Sequence, residues 1–199
     1  MTASDEPLDD QTRALCSELG YAFTNPSLLL EALTHRSFKN ENPGLATADN
    51  ERLEFLGDSI VGLVAASMVY DQFPESDEGE LTRRRADLVS EKGLSEAAEA
   101  IGVGPALRLG KGEDKSGGRE KSRLLSSALE ACIGAVYLDG GMDAAFEAAH
   151  RIFEPRVHTA APGRRDAKSR AHAWAQANRG GTPIYRLIGT DGPDHEREF

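Results

Sequence analysis

Hydrophobic residues recur at helical spacing through the first three-quarters of the chain. The strongest pattern predicts one long helix over residues 50–73, with Leu53, Leu56 and Ile60 among its apolar positions. Further apolar runs with helix start and stop signals predict helices over residues 28–33, 77–89, 90–101 and 124–138. Strict apolar–polar alternation is nearly absent before residue 183. The pattern therefore predicts an all-α fold for this part of the chain.

The composition changes near residue 156. Residues 156–165 are small, polar and rich in turn-forming types, which is typical of a linker. Beyond them the pattern predicts a helix over residues 167–177, a strand over 182–188 and a loop over 190–195. Two modules joined by a short linker are the simplest interpretation.

Charge alone does not decide whether the partner is a nucleic acid. The 199 residues include 23 Lys and Arg against 33 Asp and Glu, a net charge of −10. Proteins that neutralise phosphates usually carry a basic excess. The basic residues are nevertheless clustered, at 83–85 and again in the stretch 108–123. A site that holds bound cations also needs carboxylates of its own.

Cysteine content and the distribution of apolar residues suggest a compartment. Cys16 and Cys132 cannot build a disulfide framework, and Cys132 lies in an apolar run typical of a buried position. The acidic first ten residues do not resemble a signal peptide, and no eighteen consecutive residues are apolar. We expect a cytoplasmic protein without a membrane partner.

Three carboxylates stand at helical spacing on the long predicted helix. Glu51, Glu54 and Asp58 are offset by three and then four residues, so they lie along one face. Like charges one turn apart each destabilise a helix by roughly 0.2–0.5 kcal/mol. A hard cation such as Mg²⁺, which prefers oxygen ligands, would compensate for this repulsion. A solvated acidic face is the alternative interpretation.

The segment 50–59, with the sequence NERLEFLGDS, resembles the signature of the ribonuclease III family of double-stranded-RNA endonucleases. Other blocks follow in the order of that family: residues 32–37 (ALTHRS), 77–82 (DEGELT), 109–113 (LGKGE), 115–118 (KSGG), 128–131 (ALEA) and 133–139 (IGAVYLD). The resemblance implies an all-α ribonuclease III endonuclease domain over residues 12–155. It also implies that residues 166–199 form the N-terminal part of an α+β double-stranded-RNA-binding domain, which is incomplete.

By this resemblance, Glu54 and Glu130 are metal-binding acids, and Asp58 and Glu130 are catalytic. Ser127 belongs to the same metal set, but the family pattern usually has an aspartate at this position. A serine hydroxyl is neutral and a weaker Mg²⁺ ligand than a carboxylate. The site therefore loses a charge, although a hydroxyl can still hold a metal-bound water.

Further residues take roles from the resemblance. Glu51 and Glu78 match auxiliary acids, and helix capping is an equally good interpretation of Glu78. Phe55 resembles the aromatic that inserts into the partner of a symmetric homodimer, with core packing as the alternative. The incomplete module contributes predicted RNA-binding side chains, namely Ser169, His172, Gln176 and His195.

Two other segments invite a chemical interpretation. The segment 110–118 fails as a nucleotide-binding P-loop because Asp114 stands where a glycine is required before the lysine. We expect a flexible basic loop that touches RNA phosphates, or else an exposed linker. For His35 we expect a structural hydrogen bond rather than acid–base catalysis.

The resemblance implies Mg²⁺-dependent hydrolysis of double-stranded RNA, with Mn²⁺ as a possible substitute. The expected products carry 5′-phosphate and 3′-hydroxyl ends with short 3′ overhangs, in processing of ribosomal and other structured RNA. Ser127 raises the alternative of a catalytically impaired protein that binds duplex RNA or assists assembly.

Overall fold

The computed structural model describes residues 8–46, 48–158, 174–175 and 178. The chain divides into two units, Met1–Pro162 and Gly163–Phe199. Helices in the first unit are α1 (Asp10–Leu19), α2 (Pro26–Ala32), α3 (Arg36–Glu41), α4 (Glu51–Gln72), α5 (Glu78–Leu88), α6 (Glu91–Ala100), α7 (Val103–Ala106), α8 (Lys111–Lys115) and α9 (Ser122–Val157). No strand forms among residues 8–46 and 48–158, which confirms the all-α prediction there. The helix, strand and loop predicted within 167–195 lie outside what the structure describes in detail.

Local signals set most of these helix boundaries. Asn25 caps α2 by accepting from the Ser27 backbone N–H, and Pro26 occupies the first turn. Asp77 caps α5 in the same way, accepting from the Glu80 N–H at 2.7 Å. These interactions use only neighbouring residues. The predicted helices over 28–33, 50–73, 77–89 and 90–101 are confirmed within one or two residues at each end.

Helix α9 contains a break at Gly141, shortly after residue 138, where the predicted helix ends. Gly141 has φ 82° and ψ −173°, a conformation that favours glycine because it lacks a Cβ. The chain becomes helical again at once and continues to Val157. The predicted helix over 124–138 corresponds to the segment before the break, and the helical segment after the break was not predicted.

Helices α4 and α9 form the centre of the core. Val61, Val64 and Ala65 of α4 are fully buried, as are Leu129 and Ile133 of α9. By length and composition alone α4 is apolar enough to cross a membrane. Its burial within this helical domain accounts for that composition. Cys132 is buried beside this core as a free thiol, as predicted.

Two glycines allow α4 and α9 to touch backbone to backbone. A Cβ added to Gly57 would lie 1.8 Å from the carbonyl oxygen of Glu130, and one added to Gly134 would lie 2.4 Å from that of Leu53. No larger residue fits at either position. Gly62 lies five residues further along α4, but nothing lies within 4 Å of its added Cβ, so no backbone approaches closely there.

The segment 110–118 is more ordered than a flexible loop. It contains helix α8 and leads into a 3₁₀ turn, Gly118–Glu120. The Arg119 guanidinium fixes the turn by donating to the carbonyl oxygens of Gly104, Pro105 and Leu107 at 2.8–3.0 Å. The segment therefore is not the irregular loop that was predicted, because these bonds join residues 12 to 15 positions apart, which local patterns do not show. Its contact with RNA phosphates stays a prediction.

Candidate active site

The contact between α4 and α9 brings three acidic residues together. Glu54 and Asp58 stand one turn apart on α4, and Gly57 between them touches the backbone of Glu130 on α9. The Glu130 carboxylate therefore interacts with both acidic side chains of α4. Asp58 and Glu130 are 72 positions apart in the chain, and the glycine contact brings them together in space.

Glu130 is the most perturbed acid of this group. Burial raises the pKa of its carboxyl to about 7, and the charges of Asp58 and Glu54 act in the same direction. A hydrogen bond with the Asp58 side chain further favours the protonated form. Glu130 thus changes its charge near neutral pH, where an ordinary glutamate is fully ionised. Such perturbation by burial and like charges is typical of functional sites.

Ser127 lies one turn before Glu130 on the same face of α9. Its hydroxyl donates to Glu54 Oε1 at 2.9 Å. An acidic side chain in this place would repel Glu54, whereas the hydroxyl binds it and fixes its orientation. Ser127 therefore belongs to the site by direct contact.

A cleft of about 410 Å³ opens beside Glu54 and Ser127. It is lined by polar and charged side chains from several parts of the chain: His35, Arg36, Asn50, Glu51, Glu54, Glu113, Lys121, Arg123 and Ser127, together with Leu107 and Leu124. Backbone bonds between residues 33–35 and Arg108, of 2.9 and 3.1 Å, hold two of these segments side by side. The cleft is thus built by the tertiary fold.

The sequence matches a known family model. The model for Ribonuclease-III-like domains covers residues 25–156, about two-thirds of the chain. The chain belongs to the ribonuclease III family. Curated relatives agree: "Ribonuclease 3" of Syntrophotalea carbinolica is 46% identical over 195 residues, covering 96% of this chain and 84% of the relative. "Ribonuclease 3" of Geobacter metallireducens is also 46% identical, covering 91% of this chain and 75% of the relative.

Solved structures of the family share the fold. The nuclease domain of ribonuclease III from Campylobacter jejuni matches with a TM-score of 0.66 and 37% identity, covering 74% of this chain and 97% of that one. A second structure of that domain, described as flexible in a region involved in dimer formation, matches with a TM-score of 0.65 and 39% identity over 71% of this chain and 95% of that one. The chain is therefore an endoribonuclease with the ribonuclease III nuclease fold.

Ribonuclease III enzymes generally depend on divalent metal ions, and the donor types at this site fit such an ion. Carboxylate oxygens are hard ligands, and a cation would relieve the repulsion that raises the Glu130 pKa. In the described parts of the chain, however, no three His, Cys, Asp or Glu side chains converge into a ready-made ligand set. The fit therefore rests on donor chemistry and on the electrostatics of Glu130.

Other predicted residues have hydrogen-bond or ion-pair partners outside the group formed by Glu54, Asp58 and Glu130. Glu51 lines the cleft and forms an ion pair with Arg36, at 3.3 Å. Glu78 accepts from the Thr82 hydroxyl at 3.1 Å, within its own helix. His35 caps α3, and its Nδ1 lies 2.8 Å from the Ser37 hydroxyl, which agrees with the structural role expected for it.

Phe55 is 80% exposed, which excludes the alternative that it packs in the core of its own chain. It lies on α4 next to Glu54, but its side chain points to solvent. The predicted RNA-binding residues Ser169, His172, Gln176 and His195 lie outside the described residues, and their roles stay predictions.

Sequence reasoning did not single out Arg123 and Lys121 as part of the site. Both line the cleft beside Glu54 and Ser127. The available signal was position: Arg123 precedes Ser127 by four residues, one helical turn. The basic residues over 108–123 are evident in the sequence, but which of them lie beside the carboxylates depends on the fold.

Proposed function

We propose that this ribonuclease III protein hydrolyses phosphodiesters of double-stranded RNA in a Mg²⁺-dependent reaction, with Mn²⁺ able to replace Mg²⁺. The products would carry 5′-phosphate and 3′-hydroxyl ends. One observation carries the proposal: Glu54, Asp58 and Glu130 interact where α4 and α9 touch, and Glu130 has a pKa of about 7. Mutually repelling carboxylates at this contact are suited to holding a divalent cation.

Each residue of the site would have its own role in this hydrolysis. Glu54 and Glu130 would hold the metal ion, with Ser127 orienting Glu54 through its hydroxyl. When bound, such an ion lowers the pKa of a water and neutralises charge on the phosphate. Asp58, exposed and hydrogen-bonded to Glu130, would exchange a proton with that carboxyl or with water. Ionised Glu130 is the form that binds a cation, so metal binding and proton release are coupled.

Duplex cleavage with short 3′ overhangs needs two sites at a fixed separation. A homodimer provides this, because a two-fold axis relates two identical sites, one for each strand. The exposed Phe55 ring next to Glu54 supports such an interface close to the site. We propose further that residues 166–199 contribute to duplex-RNA binding, and that the enzyme processes ribosomal and other structured RNA in the cytoplasm.

Ser127 favours a second candidate function. With one carboxylate fewer than the family pattern implies, the chain would bind duplex RNA or assist assembly without cutting. The hydrogen bond from Ser127 to Glu54 is the observation behind this alternative, because it occupies an oxygen that would otherwise be available to a cation.

The test uses a long perfect RNA duplex, purified full chain and Mg²⁺, with an EDTA control and a Glu130→Gln variant. Short duplex products with 5′-phosphate ends that are lost in both controls would support the nuclease. Retained duplex binding without cleavage over hours at micromolar protein would favour the alternative. Single-stranded RNA of the same sequence serves as the substrate control.

A further inference from the structure

The cleft beside the carboxylates contains more basic groups than the metal chemistry uses. His35, Arg36, Lys121 and Arg123 all line it. Two of them have acidic partners within the cleft. Arg36 pairs with Glu51 at 3.3 Å, and Lys121 pairs with Glu113 at 2.6 Å. The hydrogen bond from Lys121 lowers the pKa of the Glu113 carboxyl, as expected for a formed ion pair.

Arg123 differs from these two residues. Within the described part of the chain, its guanidinium makes no hydrogen bond or ion pair. It stands in the first turn of α9, where a cation is unfavourable because the helix dipole is positive at that end. Helix stability therefore does not explain an arginine here. A ligand outside the chain is the natural partner for this charge.

Arg123 lies on the face of α9 that also presents Ser127 and Glu130. Ser127 follows it by four residues and Glu130 by seven, so all three lie along one stripe. The identity of residue 127 also determines whether Arg123 has an ion-pair partner on its own helix. An aspartate at 127 would stand one turn from Arg123 and form an (i, i+4) ion pair with it. The neutral hydroxyl instead bonds to Glu54 and leaves Arg123 free.

We propose that the cleft is a phosphate subsite in which Arg123 binds a backbone phosphate of the RNA strand, next to the phosphodiester that is cut. Its planar guanidinium matches the geometry of two phosphate oxygens, and such charge-assisted bonds are strong. Ser127 and Lys121 line the same cleft, but their side chains are bonded to Glu54 and Glu113. Arg123 is thus a positioning residue for the substrate, and Ser127 is what makes it available.

This inference rests on the proposed function for its substrate, but its test does not require cleavage. A short RNA duplex carrying a fluorophore is titrated with the full chain in EDTA, and anisotropy gives Kd at several salt concentrations. We expect Arg123→Gln to raise Kd about fivefold near 0.15 M salt and to lower the slope of log Kd against log salt by about one. Arg123→Lys should retain most of the slope, because it keeps the charge.

A matched control removes one positive charge elsewhere on the same helix. Arg151→Gln changes an exposed arginine far along α9 from the cleft, and we expect Kd and the slope to stay within twofold of the parent values. An Arg123→Gln protein that behaves like Arg151→Gln would overturn the subsite. Thermal unfolding of each variant shows whether it is folded. A loss of binding by a folded variant can then be attributed to the changed side chain in the cleft.

A double-mutant cycle with Ser127→Asp adds a second check. The new carboxylate should pair with Arg123 and raise Kd in EDTA, and it should do so much less when Arg123 is already Gln. Independent effects of the two changes would contradict the role given to Ser127.

The outcomes separate this proposal from the proposed nuclease. A parent chain that fails to cut duplex in Mg²⁺ but shows the Arg123 effect in EDTA contradicts the nuclease and supports the subsite. A chain that cuts duplex while Arg123→Gln binds and cuts normally contradicts the subsite alone. No duplex binding by the parent chain at micromolar concentration would overturn both.

Discussion

At the level of single residues, Glu130 sits where its own charge is unfavourable. Burial and two neighbouring carboxylates raise its pKa to about 7, compared with an ordinary value of 4.5. The folded chain therefore binds a proton at Glu130 between about pH 4.5 and 7, whereas the unfolded chain does not. The contribution of this proton to stability is fully present below about pH 4.5 and is lost as pH rises through 7. Residues that serve a functional site often reduce the stability of the folded chain in this way.

Glu130→Gln should therefore stabilise the protein at pH 8, because glutamine keeps the shape of the side chain but cannot ionise. We expect the unfolding temperature of this variant to exceed that of the parent by a few degrees at pH 8. Near pH 4.5 the two should converge. Circular dichroism during thermal unfolding in EDTA measures the unfolding temperatures at both pH values.

The control is Glu154→Gln, which changes an exposed glutamate of the same helix. It should leave the unfolding temperature nearly unchanged at both pH values. Equal stability of Glu130→Gln and the parent at pH 8 would show that the Glu130 charge carries no such cost.

Ser127 allows a prediction about the metal. Ser127→Asp adds a carboxylate next to Glu54, so the concentration of Mg²⁺ that gives half-maximal cleavage should fall, on the order of tenfold. Ser127→Ala removes the hydrogen bond to Glu54 and should raise that concentration. An initial-rate series over Mg²⁺ concentration distinguishes them. If both variants match the parent, position 127 does not take part in metal binding.

At the level of elements, the contact between α4 and α9 is the feature on which the site depends. Caps such as Asn25 of α2 and Asp77 of α5 act over only two or three residues, so the sequence predicts the starts of those helices well. It also predicts α4 closely, but it ends α9 well short of the observed end of that helix. It did not show which glycine permits the contact. Gly57 and Gly62 look alike in the sequence, and only the position of Glu130 on α9 distinguishes them.

Gly57→Ala should be strongly destabilising. Its Cβ would lie 1.8 Å from the Glu130 carbonyl oxygen, and the two backbones must separate to relieve that overlap. We expect a loss of about 3 kcal/mol or more in the free energy of unfolding, since overpacking costs typically 1–3 kcal/mol even against side chains that yield. Urea denaturation measures this loss.

Gly112→Ala is the matched control, because nothing lies within 4 Å of the Cβ added at this helical position. It should be neutral or stabilising by up to about 1 kcal/mol, as alanine favours helix over glycine. Similar losses for both variants would mean that the α4–α9 approach is looser than described.

Much of the site was predictable from helical spacing, and the remainder was not. Glu54 and Asp58 share a helix, so their proximity follows from sequence. The cleft joins residues near 35, 107, 113 and 123, and a basic run in the sequence does not show that Arg123 faces Glu54. Arg119 fixes this arrangement through carbonyls distant in sequence. Such long-range bonds are the part that local pattern does not specify.

At the level of the whole molecule, one face of α4 has apolar side chains without a partner in the described chain. Phe55 is 80% exposed, Leu63 54% and Tyr70 70%, and their spacing places them on one side of the helix. Exposed apolar side chains that share a face mark interaction surfaces. A second copy of the chain is the partner that the proposed paired cleavage requires.

Phe55→Asp should shift the protein from dimer to monomer, because a charge cannot be buried in an apolar interface without a partner. Sedimentation velocity at micromolar concentration measures the assembly. Leu45→Asp places the same charge on another exposed apolar residue, outside α4, and should leave the assembly unchanged. A parent chain that sediments as a monomer would contradict the dimer directly.

The most direct test of the central claim is the single-turnover rate of duplex RNA cleavage, measured for the parent chain and Glu130→Gln as Mg²⁺ is varied. We predict a parent rate that rises and saturates with Mg²⁺, and a Glu130→Gln rate at least a hundredfold lower at every concentration, although that variant is folded. Equal rates for the two proteins, or a parent rate independent of Mg²⁺, would contradict the assignment of the α4–α9 contact as the catalytic site.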